Sequence, residues 1–317
     1  MKETGMERRG PAELVLAAAV ARRHYLAGQS KVEIADELGL SRFKVARLID
    51  FAREAGIVRI EIVADGELDL DRSARLQERF GLRHAVVVDG SRIESSALAD
   101  HLGRAAAGLL TDVVQAGDVL GLPWSRSVDV MTRSLRDLPP VDVVQLSGAM
   151  EVEGHDSSAV DIVRRAARAT GGGSSIFYAP LLLDDAAGAA TLRREPQVAR
   201  VLAQASRVTV AVMGVGAWAP GLSTIHDAVT SADREALAGL GVVGEIAGVL
   251  FDASGTVVEP PLTERVVTIS PDALRGIEEV VAIASGADKG VAVRAALAGG
   301  LVNAVVADAA LADALLS

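Results

Sequence analysis

The chain has 317 residues, half of them apolar, with five histidines, no cysteine and a formal net charge of -10. That length fits two domains with a large buried core. The absence of cysteine removes disulfides, thiolate metal sites and cysteine nucleophiles together and fits a cytoplasmic protein, and no apolar run reaches the roughly 18–20 residues that a membrane span needs. Glu3, Glu7 and Glu13 interrupt the first residues, which carry no signal-peptide pattern.

The charge is unevenly spread. Residues 1–62 hold 11 Lys and Arg against 9 Asp and Glu, whereas the remainder holds 21 against 33. A weakly basic module on an acidic body is compatible with DNA binding, because attraction to phosphate is screened over about 8–10 Å at ordinary salt. Residues 12–27 carry apolar residues at helical spacing up to a stop at Gly28. Ser30 and Glu33 then have the spacing of a capping box for a helix over 31–38, Gly39 supplies a left-handed stop, and Ser41 caps a second helix running to about Ala55. Ile34, Leu38, Val45 and Leu48 fall where two such helices interlock, with Ala35 at the close approach. This is the pattern of a helix-turn-helix, whose second helix enters the major groove. Its outward residues include Arg42, Phe43, Lys44 and Arg47. Arg42 and Arg47 suit guanine readout, Phe43 a thymine methyl, and Lys44, Arg22 and Arg23 phosphate contacts. The plainer reading is a three-helix bundle with solvated arginines, but the coincidence of capping, Gly and Ala positions with the apolar interlock favours the DNA-binding one. Residues 57–62 (IVRIEI) alternate as a strand, and 64–70 (ADGELDL) read as an acidic hinge.

From about residue 71 apolar runs alternate with helical stretches. The segments 85–89, 118–122, 141–147, 175–180, 207–214, 245–251, 280–285 and 304–307 read as strands, and 94–114, 125–135, 157–170 and 289–298 as helices among them. Near-continuous Val and Ile runs between amphipathic helices predict a buried, mostly parallel, Rossmann-like sheet, with ligands beyond the carboxyl ends of its strands.

Three strand-to-helix junctions carry chemistry. In 117–131, Pro123 and Trp124 precede Ser125, Arg126 and Ser127 at a helix start, where two hydroxyls, a guanidinium and free amides suit a phosphate. In 210–223, Gly214 and Gly216 allow close backbone approach and Trp218 can cover a ligand. In 284–297, Gly286 and Asp288 lead to Lys289, the single lysine of residues 64–317, at another helix start. Each also has the ordinary reading of glycine in a turn. His24, His84, His101, His155 and His226 show no metal-ligand spacing and no nucleophile arrangement, so no metal, cofactor or catalytic residue is expected. His226 beside Asp227 reads as a solvated or capping residue, and a Schiff base at Lys289 would need a depressed pKa.

Together, ADELGLSRFKVARLIDFAREAGIVRIEI, GDVLGLPWSRSV, VVQLSGA, VMGVGAW, GEIAGVLFDASGTVV and ASGADKGVAVRAALAGGLVNAVVAD, in this order, resemble the SorC family of bacterial sugar-responsive transcriptional regulators over nearly the whole chain. The resemblance implies an effector domain like the sugar-phosphate isomerase and glucosamine-phosphate deaminase fold, reused for sensing. It implies a homodimer or homotetramer on a palindromic double-stranded DNA operator, controlled by a phosphorylated sugar or polyol. It places Ser125, Arg126 and Ser127 on the phosphate with Lys289 assisting, Gln145 and Gly148 near the sugar, and Gly214, Gly216 and Trp218 around the pocket. Ser-Arg-Ser stands where the family commonly has Gly-Arg-Thr or Gly-Lys-Thr, and Ala46 where it often has Ser.

The expected organisation is therefore a helix-turn-helix domain over residues 1–63 and an α/β effector-binding and oligomerisation domain over 64–317. Two other readings compete with an operator-binding regulator: a sugar-phosphate isomerase or deaminase with a DNA-binding module, and a DNA-binding protein whose second domain only oligomerises.

Overall fold

The structure is a computed structural model that describes residues 10–59, 67–90, 93–152 and 157–317. The chain divides into two compact units, Met1–Val63 and Ala64–Ser317.

The first unit holds α1 (Pro11–Tyr25), α2 (Lys31–Leu38) and α3 (Arg42–Glu54). Ser30 and Glu33 cap α2 reciprocally: Ser30 N donates to Glu33 Oε2 at 2.8 Å and Glu33 N to Ser30 Oγ at 3.3 Å. Gly39 ends α2 at φ +62°, a left-handed backbone that a Cβ would strain. Ser41 Oγ then accepts from Lys44 N and opens α3. Ala17, Val20 and Ala21 of α1, Ile34 and Ala35 of α2, and Val45, Leu48, Ile49 and Ala52 of α3 form one core. The strand read over 57–62 lies outside the described residues from 60 onward, as do residues 64–66 of the acidic hinge.

The second unit has ten strands among its described residues: β1 (His84–Val88), β2 (Val119–Leu122), β3 (Asp142–Gln145), β4 (Ser174–Ser175), β5 (Val210–Gly214), β6 (Gly216–Ala217), β7 (Val242–Ile246), β8 (Val249–Asp252), β9 (Glu279–Ala284) and β10 (Ala304–Asp308). Seven lie parallel in the order β1-β10-β9-β5-β2-β3-β4, and β6, β7 and β8 form a small antiparallel sheet. The helices between them are α4 (Leu70–Phe80), α5 (Leu98–Val113), α6 (Arg126–Ser134), α7 (Ala159–Thr170), α8 (Ala186–Arg194), α9 (Pro196–Ala203), α10 (Thr224–Ala228), α11 (Ser231–Gly239), α12 (Pro271–Arg275), α13 (Gly290–Ala298) and α14 (Ala309–Leu316).

The two-residue period of a strand explains the unbroken apolar runs. Ala211, Met213, Ala282, Val305 and Ala307 join the core that also holds residues of α4, α13 and α14. Their neighbours Val210, Val212, Val281, Ile283 and Val306 join the opposite core with α5, α6 and α7. Both faces are covered, so no strand position needs a polar side.

Three local readings change. Residues 245–251 are not one strand but a hairpin. Ile246 pairs with Val249, and the two-residue turn sets Ala247 at φ +51° and Gly248 at φ +88°. Positive φ at both turn residues matches the twist of tight hairpins, and Gly248 N donates to Glu245 Oε2 at 3.1 Å across the turn. Residues 175–180 are not one strand: the ladder with β3 holds Ser174 and Ser175 and a separate bridge pairs Pro180 with Ala149, while between them the Gln145 side chain accepts from Phe177 N at 3.1 Å. The helix expected from residue 94 begins at Leu98, after a turn closed by Ala97 N donating to Glu94 O.

Helix α6 is locked on two sides. Toward α5, a Cβ on Gly103 would lie 2.8 Å from Val130 Cγ1 and 3.1 Å from Met131 N, so the backbones meet directly. Toward α7, the fully buried Asp129 accepts from Arg165 at 2.7 Å and from Arg133 at 2.5 Å, while Arg165 also donates to Thr132 Oγ1 at 2.8 Å. Burial would raise the Asp129 pKa, but hydrogen bonds from Arg165, Ser157 and Arg133 outweigh it and hold the carboxyl below the usual range. Stability from a carboxyl held low is complete above its unfolded pKa, about 4, and is lost as pH falls through the folded value. Asp129→Asn should therefore cost about 3 kcal/mol at pH 7 and flatten the acid limb of the stability curve. Denaturant titrations at pH 7 and below pH 4 check this; an unchanged midpoint at pH 7 would remove the lock.

Candidate functional site

A cavity of about 380 Å³ opens beyond the carboxyl ends of β2, β5 and β9, a volume suited to a small molecule. Its place follows from topology. The chain leaves β2 toward β3 and β4 on one side, and leaves the adjacent β5 toward β9 on the other. Neighbouring strands whose connections diverge leave an uncovered crevice at their ends.

The β2–α6 turn supplies Trp124, Ser125, Arg126 and Ser127 to the lining. Ser125 is extended (φ -165°, ψ 140°) and begins α6 without capping it by its side chain. Its hydroxyl instead lies 3.0 Å from Ser127 Oγ. The first-turn amides of a helix lack intrahelical acceptors and carry its positive dipole end. Arg126 is exposed and makes no side-chain hydrogen bond among the described residues. The two hydroxyls sit directly over Gly214: a Cβ there would come 2.5 Å from Ser125 Oγ and 3.2 Å from Ser127 Oγ. Trp124 is a fixed wall, buried, its indole donating to Ser157 O at 3.1 Å and its backbone N–H to Ser147 Oγ at 3.0 Å.

Lys289 enters from the β9 side and donates to Val215 O at 2.8 Å. Burial holds its pKa below the usual lysine value, Glu245 opposes the shift, and Arg126 adds to it. The ammonium keeps two further donors. Glu245, on β7, lines the same cavity. It is buried, which pushes its pKa up against the pull of Gly248 N–H, the Ser223 hydroxyl and Lys289. Ser223 Oγ donates to Glu245 Oε1 at 3.0 Å. Gly216 makes room for this carboxylate, since a Cβ would lie 2.2 Å from Glu245 Oε1. Sequence reasoning missed Glu245. The available signal was a lone acid in the apolar run GEIAGVLF, an arrangement that costs free energy unless the acid is paired or used.

The cavity thus gathers Trp124, Ser125, Arg126, Ser127, Gly214, Gly216 and Lys289 of the expected set. Gln145, Gly148 and Trp218 stand outside its lining. Gln145 is buried and spent on backbone, its Nε2 donating to Ser147 O at 2.9 Å. Gly148 is small because Pro180 O lies where its Cβ would be, 2.4 Å away. Trp218 packs edge-on against His226 with ring centroids 5.2 Å apart. His226 N donates to Ser223 Oγ and its ring meets Asp227 Oδ1 at 3.1 Å, so the Ser223 hydroxyl bonds the backbone and not the imidazole. Among the described residues no cluster of His, Asp and Glu is placed to hold a metal ion, and no helix is long and apolar enough to cross a membrane.

In the first unit, α3 turns Val45, Leu48, Ile49 and Ala52 inward and leaves Arg42, Phe43, Lys44 and Arg47 exposed, Phe43 by 82 %. Phe43 is thus a large exposed apolar side chain flanked in sequence by Arg42 and Lys44. Arg22, at the end of α1, is exposed. Arg23 is partly occupied by Glu37, 3.3 Å from its Nε.

A family model described as "Putative sugar-binding domain" matches residues 65–317. The chain is 30 % identical over 258 residues to the transcriptional regulator LsrR of Klebsiella pneumoniae, covering 78 % of this chain and 76 % of that one. It is 25 % identical over 263 residues to the deoxyribonucleoside regulator of Bacillus subtilis, covering 82 % and 84 %. Its fold is similar to the full-length sorbitol operon regulator SorC of Klebsiella pneumoniae, with a TM-score of 0.72, 25 % identity, and 96 % and 100 % of the two chains covered. The chain belongs to this sugar-binding-domain family of transcriptional regulators.

Proposed function

We propose that the chain is a DNA-binding transcriptional regulator of a carbohydrate operon, acting in the cytoplasm and controlled by a phosphorylated sugar or polyol held in the cavity. One observation carries this reading: the cavity lining holds two unlike sets of polar groups. One is Arg126, Lys289 and the start of α6, which no side chain caps; the other is the buried carboxyl of Glu245, whose charge Lys289 feels. The first set suits a phosphate, since charge-assisted hydrogen bonds and helix amides favour a dianion. The second suits hydroxyls, because each Glu245 oxygen keeps a lone pair beyond the bond it already accepts. The second unit is read as a scaffold of the sugar-phosphate isomerase and glucosamine-phosphate deaminase type used for sensing. The relatives are named as regulators, which favours binding over turnover, although Lys289, held low by burial in the same lining as Glu245, meets the condition that a Schiff base needs.

In this reading α2 and α3 form the helix-turn-helix and α3 is the recognition helix. Arg42 and Arg47 read base edges, Phe43 meets a thymine methyl, and Lys44, Arg22 and Arg23 hold phosphates. Two copies in a homodimer, or within a homotetramer, present α3 to half-sites about 34 Å apart on a palindromic operator.

Two measurements test the proposal. Arg47→Ala should weaken binding to a selected operator by about 1–3 kcal/mol and relax base preference at one position, with little effect on non-specific DNA. Unaltered affinity and selectivity would remove Arg47 from readout. For the cavity, a panel of pentose, hexose and polyol phosphates should contain a ligand that stabilises the chain by about 2.7 kcal/mol at 100 times its Kd. Gly214→Ala, whose methyl displaces Ser125 and Ser127, should fold but lose that shift. A panel that leaves the melting curve unmoved would leave the second unit an oligomerisation module.

A further inference from the structure

We propose that His101, Arg104 and Glu67 form the relay by which occupancy of the cavity reaches residues 67–69, which lie on the carboxyl end of β1. The inference rests on the reading of the cavity as an effector site. It starts from α5, which makes three separate contacts. Ala99 and Leu102 line the cavity. Gly103 lies against α6 with no side chain between, the absent Cβ falling 2.8 Å from Val130 Cγ1. Val130 itself lines the cavity, four residues after Arg126. A displacement of α6 on capturing an anion therefore has no soft layer in which to dissipate before it reaches α5, because packed interfaces shift as units.

The third contact is with Glu67. Arg104 Nη2 donates to the two Glu67 oxygens from 3.4 Å and 3.5 Å, and His101 Nδ1 lies against Glu67 Oε2 without a hydrogen bond. The Glu67 backbone is pinned as well. Asp89 N donates to Glu67 O at 2.7 Å, Asp69 N donates to Val87 O at 2.8 Å, and Leu68 bridges Val88 antiparallel. Residues 67–69 thus form a strap on the carboxyl end of β1, held from the side by α5. Glu67 is half exposed, and half-exposed ion pairs add little stability. What this one adds is a connection: α5 cannot move relative to the strap without breaking it.

The test uses the full chain, with inorganic phosphate as the occupant of the α6 start. Calorimetry reads binding, and amide hydrogen exchange reads the strap at Asp69 and Asp89. In the unaltered chain, phosphate should change exchange of these amides about tenfold. His101→Ala and Glu67→Gln should bind phosphate within about twofold of the unaltered chain yet transmit less than about a twofold change in exchange. Glu67→Gln preserves volume and decides the matter if His101→Ala does not fold. Variants that transmit the full change overturn the relay. Phosphate binding with no change at the strap of the unaltered chain overturns the relay alone, whereas no phosphate binding overturns the effector site and the relay with it.

Discussion

The crevice between β2 and β5 organises the second unit. These strands are hydrogen-bonded neighbours, yet the chain departs from them in opposite directions. No crossover covers their carboxyl ends, so a cavity forms there for topological reasons before any side chain is chosen. The side chains then exploit it. Gly214 and Gly216 remove bulk beneath Ser125, Ser127 and Glu245, and α6 starts at the mouth with its amides uncapped. Gly103 and Asp129 couple α6 tightly to α5 and α7.

Electrostatics decide which groups a ligand of the cavity must satisfy. Burial pushes Glu245 up and Lys289 down, so each ionised state is costly without a partner. Each favours the other's charge, but no direct ion pair joins them, and Lys289 turns to a carbonyl and Glu245 to a hydroxyl and an amide. A ligand with an anionic end and a hydroxylated end would satisfy both groups at once.

Much of the first unit was legible because its signals are local. Ser30 with Glu33, Gly39 and Ser41 each act within four residues, and each cap forms as spaced. The βα alternation and the serine–arginine turn were legible for the same reason. Strand order was not, since parallel pairing joins residues far apart in sequence, and without it the crevice cannot be located. The Glu245 hairpin was hidden because Ala247 adopts positive φ, which its residue type does not announce. Gln145 misled because a buried amide in an apolar strand looks the same whether it faces a ligand or completes a ladder, as it does at Phe177.

In the reading proposed above, the weak positive charge of residues 1–62 limits what one recognition helix would hold, since phosphate attraction supplies most non-specific affinity, and pairing of copies would supply the rest. The most direct measurement is a crystal structure of the full chain with the phosphorylated sugar or polyol that most raises its melting temperature. The phosphate is predicted at the first turn of α6, within reach of Ser127 and Lys289, with a hydroxyl on Glu245. A phosphate bound elsewhere, with this cavity empty at saturating ligand, would contradict the central claim.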